Sequence, residues 1–173
     1  MDGKINTAVM LVGGEALRLR PFTNNTPKAL IEICGKPILD WALNWLKKYD
    51  IQNVVLGVAY KKEKIIEYVK KKDFGLNVTF SEHTVEGGTG EGFRLAVQRY
   101  VNASNFIAMN GDELTNLNLK KLMEFHLETK PVATIAISPL KSPYGIVDLY
   151  DDSIIGFREK PILNDKFVST GIY

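Results

Sequence analysis

The sequence holds a single cysteine, Cys34, and two histidines. One thiol makes no disulfide framework, and with two imidazoles it leaves a zinc enzyme short of ligands. No apolar run approaches the roughly 18 residues of a membrane-spanning helix. The first residues, MDGKINT, lack the basic-then-apolar layout of a secretory signal, so a cytoplasmic location is the expectation. Charge of one sign is scarce too. With 22 Lys and Arg against 20 Asp and Glu, the net +2 argues for neither nucleic acid nor a membrane surface as partner. No internal repeat, low-complexity tract or linker interrupts the chain. Its 173 residues, 45 % of them hydrophobic, suffice for one domain with a proper core.

The apolar periodicity alternates between two kinds. Residues 9–12, 53–58, 76–80 and 106–109 read as strands, most of them buried. Between them, Ile38, Ala42, Trp45, Leu46 and Tyr49 recur at helical spacing after Pro37. Residues 63–72 form a helix with a Lys/Glu face, and 93–100 and 119–126 form two more. Strand–helix alternation predicts an α/β fold: a Rossmann-like three-layer α/β/α arrangement on a mostly parallel, partly mixed sheet. Residues 132–137, 145–150 and 154–158 then read as strands, the last two joined by a turn at Asp151-Asp152. A final strand is expected over 167–173.

The densest chemistry lies in residues 9–37. A strand ends at Gly13-Gly14, whose missing Cβ atoms allow a sharp turn and a close approach of backbone N–H groups to a ligand. Arg18, Arg20 and Lys28 follow. A strand end, a glycine turn and three cations describe a place for phosphate groups. It is neither of the common phosphate loops. There is no Gly-Lys-Ser/Thr end, and Pro21 stops the long helix that a dinucleotide fingerprint would open.

Two further stretches stand at predicted strand ends. Asn110-Gly111-Asp112 offers a carboxylate where Mg²⁺ could be held against substrate phosphates, though the same tripeptide also reads as a capped turn. Gly88-Thr89-Gly90 is a loop that lets a planar base or a phosphate approach, as many glycine loops do not.

Taken together, residues 11–21, 27–30 and 35–39 resemble the signature of the sugar-phosphate nucleotidyltransferases, L-A-G-G-x-G-T-R-L-R-P followed by P-K-x-L and G-K-P-I-L. The resemblance covers residues 5–173. Asn110-Gly111-Asp112, Tyr144-Gly145, Glu159-Lys160-Pro161 and Ser169-Thr170-Gly171-Ile172-Tyr173 follow in the family's order. It implies a nucleotide bound by Leu11, Gly13, Gly14, Glu15, Ala16, Glu82, Gly88, Thr89 and Gly111. Glu82 and His83 both fall near the register of a base contact. His83 as a general base is the weaker reading beside a surface histidine. Arg18 would serve the β- and γ-phosphates and Lys28 the transition-state charge. Asp112 would hold Mg²⁺, Tyr144, Gly145 and Glu159 would bind the sugar, and Lys160 its phosphate. Arg20 would be structural.

Two departures stand out. Ala16 and Leu17 occupy the places of the usual Gly-Thr, and if residue 16 needs a positive φ, alanine costs about 1 kcal/mol there. The family's later D-x-G segment, a second metal aspartate, is not among these residues, which suggests a single nucleotidyltransferase domain incomplete beyond Tyr173. A strand interrupted there would favour association with a second copy. The implied reaction joins an NTP and a sugar 1-phosphate to give an NDP-sugar and pyrophosphate. The Gly-Thr-Gly form looks most like guanylyltransferases of mannose- or heptose-type phosphates. A catalytically weak or non-catalytic regulatory domain of the same fold is the alternative.

Overall fold

The computed structural model describes residues 4–173. By its contacts the chain divides into two compact units, residues up to Thr134 together with Ile172–Tyr173, and Ile135–Gly171.

The larger unit begins with strand β1, Thr7–Leu11. A two-stranded hairpin follows, β2 Glu32–Ile33 and β3 Lys36–Pro37, which the sequence reading passed over. Its turn residues Cys34 and Gly35 both have positive φ, 51° and 75°, as a tight two-residue hairpin turn requires. Next come α1 Ile38–Lys48, β4 Asn53–Val58, α2 Lys62–Lys70 and β5 Asn77–Glu82. The unit continues with α3 Gly88–Tyr100, β6 Ile107–Asn110 and α4 Leu119–Thr129. None of the described helices is long and apolar enough to cross a membrane.

Four strands form a parallel sheet in the order β5-β4-β1-β6. Ile172 makes an antiparallel bridge to Met109, and Tyr173 and Ala108 exchange two backbone hydrogen bonds of 2.8 and 2.9 Å, so the predicted mixed character is present. The pleat sends alternate residues to opposite faces. Val9 and Val55, in register, pack with Ala96 of α3, and Phe93 and Val97 join them. Ala8, Met10, Val54 and Leu56 point the other way and are also buried. Burial of both faces is why these strands read as continuous apolar runs.

Helix α1 buries Ile38, Leu39, Ala42, Leu43 and Leu46 along one stripe. Each of its three leucines contributes about 1.5–3 kcal/mol relative to exposure. Asp40, also buried, accepts hydrogen bonds from Tyr68 (2.8 Å) and Lys72, so a buried charge is paired and ties α1 to the end of α2.

The strand order reverses beside β1: β4 and β5 lie on one side, β6 on the other. In such sheets the crevice at the carboxyl ends of the two strands flanking the reversal receives ligands. Here those ends carry Gly13-Gly14 and Gly111-Asp112.

The smaller unit is antiparallel. Strand β7, Ile137–Lys141, follows the first boundary; β8 is Ile146–Tyr150, β9 Ser153–Arg158 and β10 Ile162–Ser169. β8 pairs with β9 across the predicted Asp151-Asp152 turn, and β7 pairs with β10. Two expectations are corrected here. Residues 132–136 are not strand; pairing starts only at Ile137, opposite Ser169, and β-branched composition without a partner strand makes no ladder. The final strand ends at Ser169, because Gly171 (φ 71°) turns the backbone before Ile172.

Candidate functional site

An open cleft of about 380 Å³ lies at the reversal point, walled by the segments that follow β1 and β6 and by the start of α3. The two glycines after β1 take different roles in it. Gly13 is buried, and a Cβ there would stand 2.6 Å from the backbone nitrogen of Ala59. Its carbonyl accepts from Tyr60 N at 3.0 Å, which keeps β1 and β4 together past the end of the ladder. Gly14 is exposed, with nothing within 4 Å of its would-be Cβ. Neither glycine has positive φ among the described residues; the left-handed residue of the turn is Ala16, at φ 49° and ψ 51°. The condition attached to its cost is therefore met.

The turn is held from behind. Thr23, almost wholly buried, donates its hydroxyl to the Ala16 carbonyl at 3.1 Å, and Tyr60 donates to the Thr23 carbonyl at 3.3 Å. A 3-10 turn, Leu17–Leu19, hangs outside this anchor and carries Arg18 on the cleft wall. No hydrogen bond or ion pair to Arg18 occurs among the described residues, which leaves an uncompensated cation beside the cleft.

Lys28 opens a second 3-10 turn, Lys28–Leu30, after buried Pro27. Its ammonium is paired with the carboxylate of Asp112 across the cleft. Asp112 reaches that place because Gly111 lets the end of β6 lie flat on β1. The Gly111 N–H donates to the Leu11 carbonyl at 2.8 Å, and a Cβ on Gly111 would fall 2.2 Å from a Val12 methyl. Glu113, next in sequence, has its carboxyl pushed above the usual range, first by burial and then by the Asp112 charge, with Lys28 opposing. No three His, Cys, Asp or Glu side chains come together as a metal cage among the described residues.

The predicted glycine loop is the first turn of α3. The helix starts at Gly88 rather than near Glu91, where the sequence suggests it opens, and Gly88 and Thr89 line the cleft. Gly88 has φ 63°, the conformation for which glycine is suited. Glu91 reaches back to accept from the Thr84 N–H and hydroxyl at 3.4 and 3.1 Å, while Gly87 N donates to Thr84 Oγ1. These bonds tie the segment before α3 to the helix's first turn. The positive dipole end of a 13-residue helix thus borders the cleft.

Of the two candidates at the end of β5, His83 lines the cleft and Glu82 does not. Glu82 is exposed and paired with Lys62. His83 is not the surface histidine expected. Its ring sits against Gly13 and Gly92, 3.0 and 3.1 Å from where their Cβ atoms would be, and its Nδ1 is buried without a partner. Glycines at those residues were the available signal, since each makes room for the ring. Glu15 is half-buried and stands outside the cleft lining, whereas Leu11, Gly13, Gly14, Ala16, Gly88, Thr89 and Gly111 belong to it.

The remaining candidates lie in the smaller unit. Gly145 abuts Glu159: a Cβ on it would lie 3.3 Å from Glu159 Oε2 and 2.5 Å from the Phe157 ring. Lys160, at φ 42°, has its ammonium 3.7 Å from the Glu159 carboxylate, and Tyr144 is exposed.

The family model for nucleotidyl transferases matches residues 7–173. The D-glycero-alpha-D-manno-heptose 1-phosphate guanylyltransferase of Aneurinibacillus thermoaerophilus is 32 % identical over 168 residues, 96 % of this chain and 73 % of that protein. The mannose-1-phosphate guanylyltransferase catalytic subunit beta of Drosophila melanogaster is 35 % identical over 99 % of this chain, which spans only 48 % of that subunit. HddC from Yersinia pseudotuberculosis, solved complexed with GMP-PN, superposes with a TM-score of 0.71 at 28 % identity, over 97 % of this chain and 75 % of that one. A match over nearly the whole length, on a fold shared with a solved relative, leaves one conclusion: the chain belongs to the nucleotidyl transferase family.

Proposed function

We propose that this protein is a sugar-1-phosphate guanylyltransferase, joining GTP to a mannose- or heptose-type 1-phosphate with release of pyrophosphate. The observation that carries the reading is the convergence of Arg18, Lys28, Asp112 and the start of α3 on one cleft at the strand-order reversal. The named relatives are what favour guanine among the bases.

The chemistry follows from the charges. A phosphate oxygen of the sugar 1-phosphate attacks the α-phosphorus of the nucleotide in line, an O–P bond forms, and the bond to pyrophosphate breaks. The nucleophile is already anionic, so no general base is required. The barrier lies in bringing two anions together, which fixed cations relieve by positioning and neutralisation. Arg18 neutralises the departing β- and γ-phosphates, and the α3 amides hold phosphate or base edge. Lys28 meets the charge that develops at the α-phosphorus. Asp112 fits Mg²⁺ of the kind that keeps substrate phosphates as most of its ligands, since one carboxylate is enough for it. When bound there, the ion supplies charge neutralisation and orientation of the triphosphate.

A binding domain without turnover is the second reading, favoured by Leu17 in place of a hydroxyl residue and by the strained Ala16. Pyrophosphate release with GTP, Mg²⁺ and mannose 1-phosphate or a heptose 1-phosphate separates the two. Release with either sugar supports the enzyme. Tight GTP binding with no release from either, or from glucose 1-phosphate, supports the binding domain.

A further inference from the structure

Lys28 and Asp112 are required by the proposed function for different partners, yet in the structure they hold each other. We infer that this ion pair is a latch on the nucleotide site: Asp112 keeps Lys28 from a nucleotide that arrives without a divalent cation and gives it up to one that brings the cation. The inference rests on the reading of the cleft as a nucleotidyltransferase site.

Three observations point to it. Both side chains are on the cleft wall and only about one third exposed, 33 % and 39 %, so the pair is screened less than a surface one. Arg18, on the same wall, has no partner among the described residues, so the pairing is particular to Lys28. Asp112 is also fixed in place, because Gly111 is pinned to Leu11 and leaves no slack at the end of β6.

An Asp112 that held a divalent cation would no longer be free to hold the ammonium, and an incoming triphosphate would offer Lys28 a new anionic partner. Free nucleotide offers no such exchange. It meets an occupied lysine and a carboxylate of its own sign. Lys28 is therefore delivered to the phosphates only in the metal-loaded complex, the state in which transfer should occur.

The test is a double-mutant cycle on the full chain, with GTP affinity measured by calorimetry in EDTA and again in excess Mg²⁺. In EDTA, Lys28→Met in the parent should change the dissociation constant by less than about twofold, since the lysine is already occupied. In the Asp112→Asn background the same substitution should weaken GTP about fivefold, and Asp112→Asn alone should tighten it. With Mg²⁺ the order reverses: Lys28→Met weakens the parent and Asp112→Asn weakens binding further. Equal costs of Lys28→Met in both backgrounds in EDTA would overturn the latch, because simple charge repulsion predicts that equality. If Asp112→Asn melts below the assay temperature, Asp112→Ser takes its place in the cycle. A parent that binds no NTP even with Mg²⁺ overturns the reading of the site itself, whereas binding and turnover with an uncoupled cycle overturn the latch alone.

Discussion

At the floor of the cleft, a Cβ on Gly13 would meet the Ala59 backbone at 2.6 Å, and one on Gly111 a Val12 methyl at 2.2 Å. At the rim, Gly14 and Gly88 meet nothing within 4 Å. The floor glycines let β1, β4 and β6 close on one another, while the rim glycines leave room for something that is not protein. Substitutions should separate the two tasks at Gly13 and Gly14, where a floor change acts on stability and a rim change on ligand chemistry; Gly88, at φ 63°, would be strained by any side chain as well.

The largest effects are expected from the charged rim. Arg18→Ala and Lys28→Ala should each slow turnover about 10²- to 10³-fold, about 2.7–4 kcal/mol of barrier, as loss of one preorganised charge partner does. Thermal stability should stay within about 1 kcal/mol of the parent, because Arg18 is exposed and Lys28 belongs to a partly exposed ion pair. Steady-state rates within threefold of the parent would take the residue concerned out of the mechanism. The floor comes next. Gly13→Ala should destabilise by about 1–3 kcal/mol, the usual range for overpacking against atoms that cannot move, read from denaturant midpoints. Gly14→Ala, one residue on, should cost under about 0.5 kcal/mol. Equal losses at the two glycines would erase the distinction between floor and rim.

Much of this was legible in the sequence, for stated reasons. Strands buried on both faces write themselves as apolar runs, so β1 and β4 stood out. The motif order placed Gly13, Lys28 and Asp112 near one another before any geometry. The divided roles of Gly13 and Gly14 were not legible, because a glycine letter reports a missing Cβ without saying what occupies its place. His83 was set aside for a similar reason. Its burial depends on Gly13 and Gly92, far apart in sequence. Residues 132–136 misled most: Val132 and Ile135 look like strand residues, but where a ladder starts is decided by the partner, and Ser169 pairs no earlier than Ile137.

Ala16 sharpens the comparison at a smaller scale. An L-residue in the left-handed region costs about 1–2 kcal/mol, and glycine there costs roughly 0.5–1 kcal/mol in unfolded-chain entropy. Ala16→Gly should therefore stabilise the protein by about 0.5–1 kcal/mol. A melt unchanged or lowered in that variant would mean that Thr23 and Tyr60, which grip the turn, depend on the alanine methyl.

The smallest effect is expected at Glu113, next in sequence to the cleft residue Asp112. Burial and the neighbouring Asp112 charge raise its carboxyl pKa in the folded chain. A carboxylate raised on folding binds its proton more tightly in the native state, so it costs no stability at low pH. The cost appears as pH rises past the unfolded value of about 4.3 and is complete above the folded one. Glu113→Gln removes the ionisation and keeps the shape. The variant should be slightly more stable than the parent at pH 7, and the gain should fade as both are taken below about pH 4. The Lys28 charge opposes the shift. Urea midpoints for both chains across that pH range check it. A gain that persists unchanged at low pH would mean that the side chain is disfavoured for its packing, not its charge.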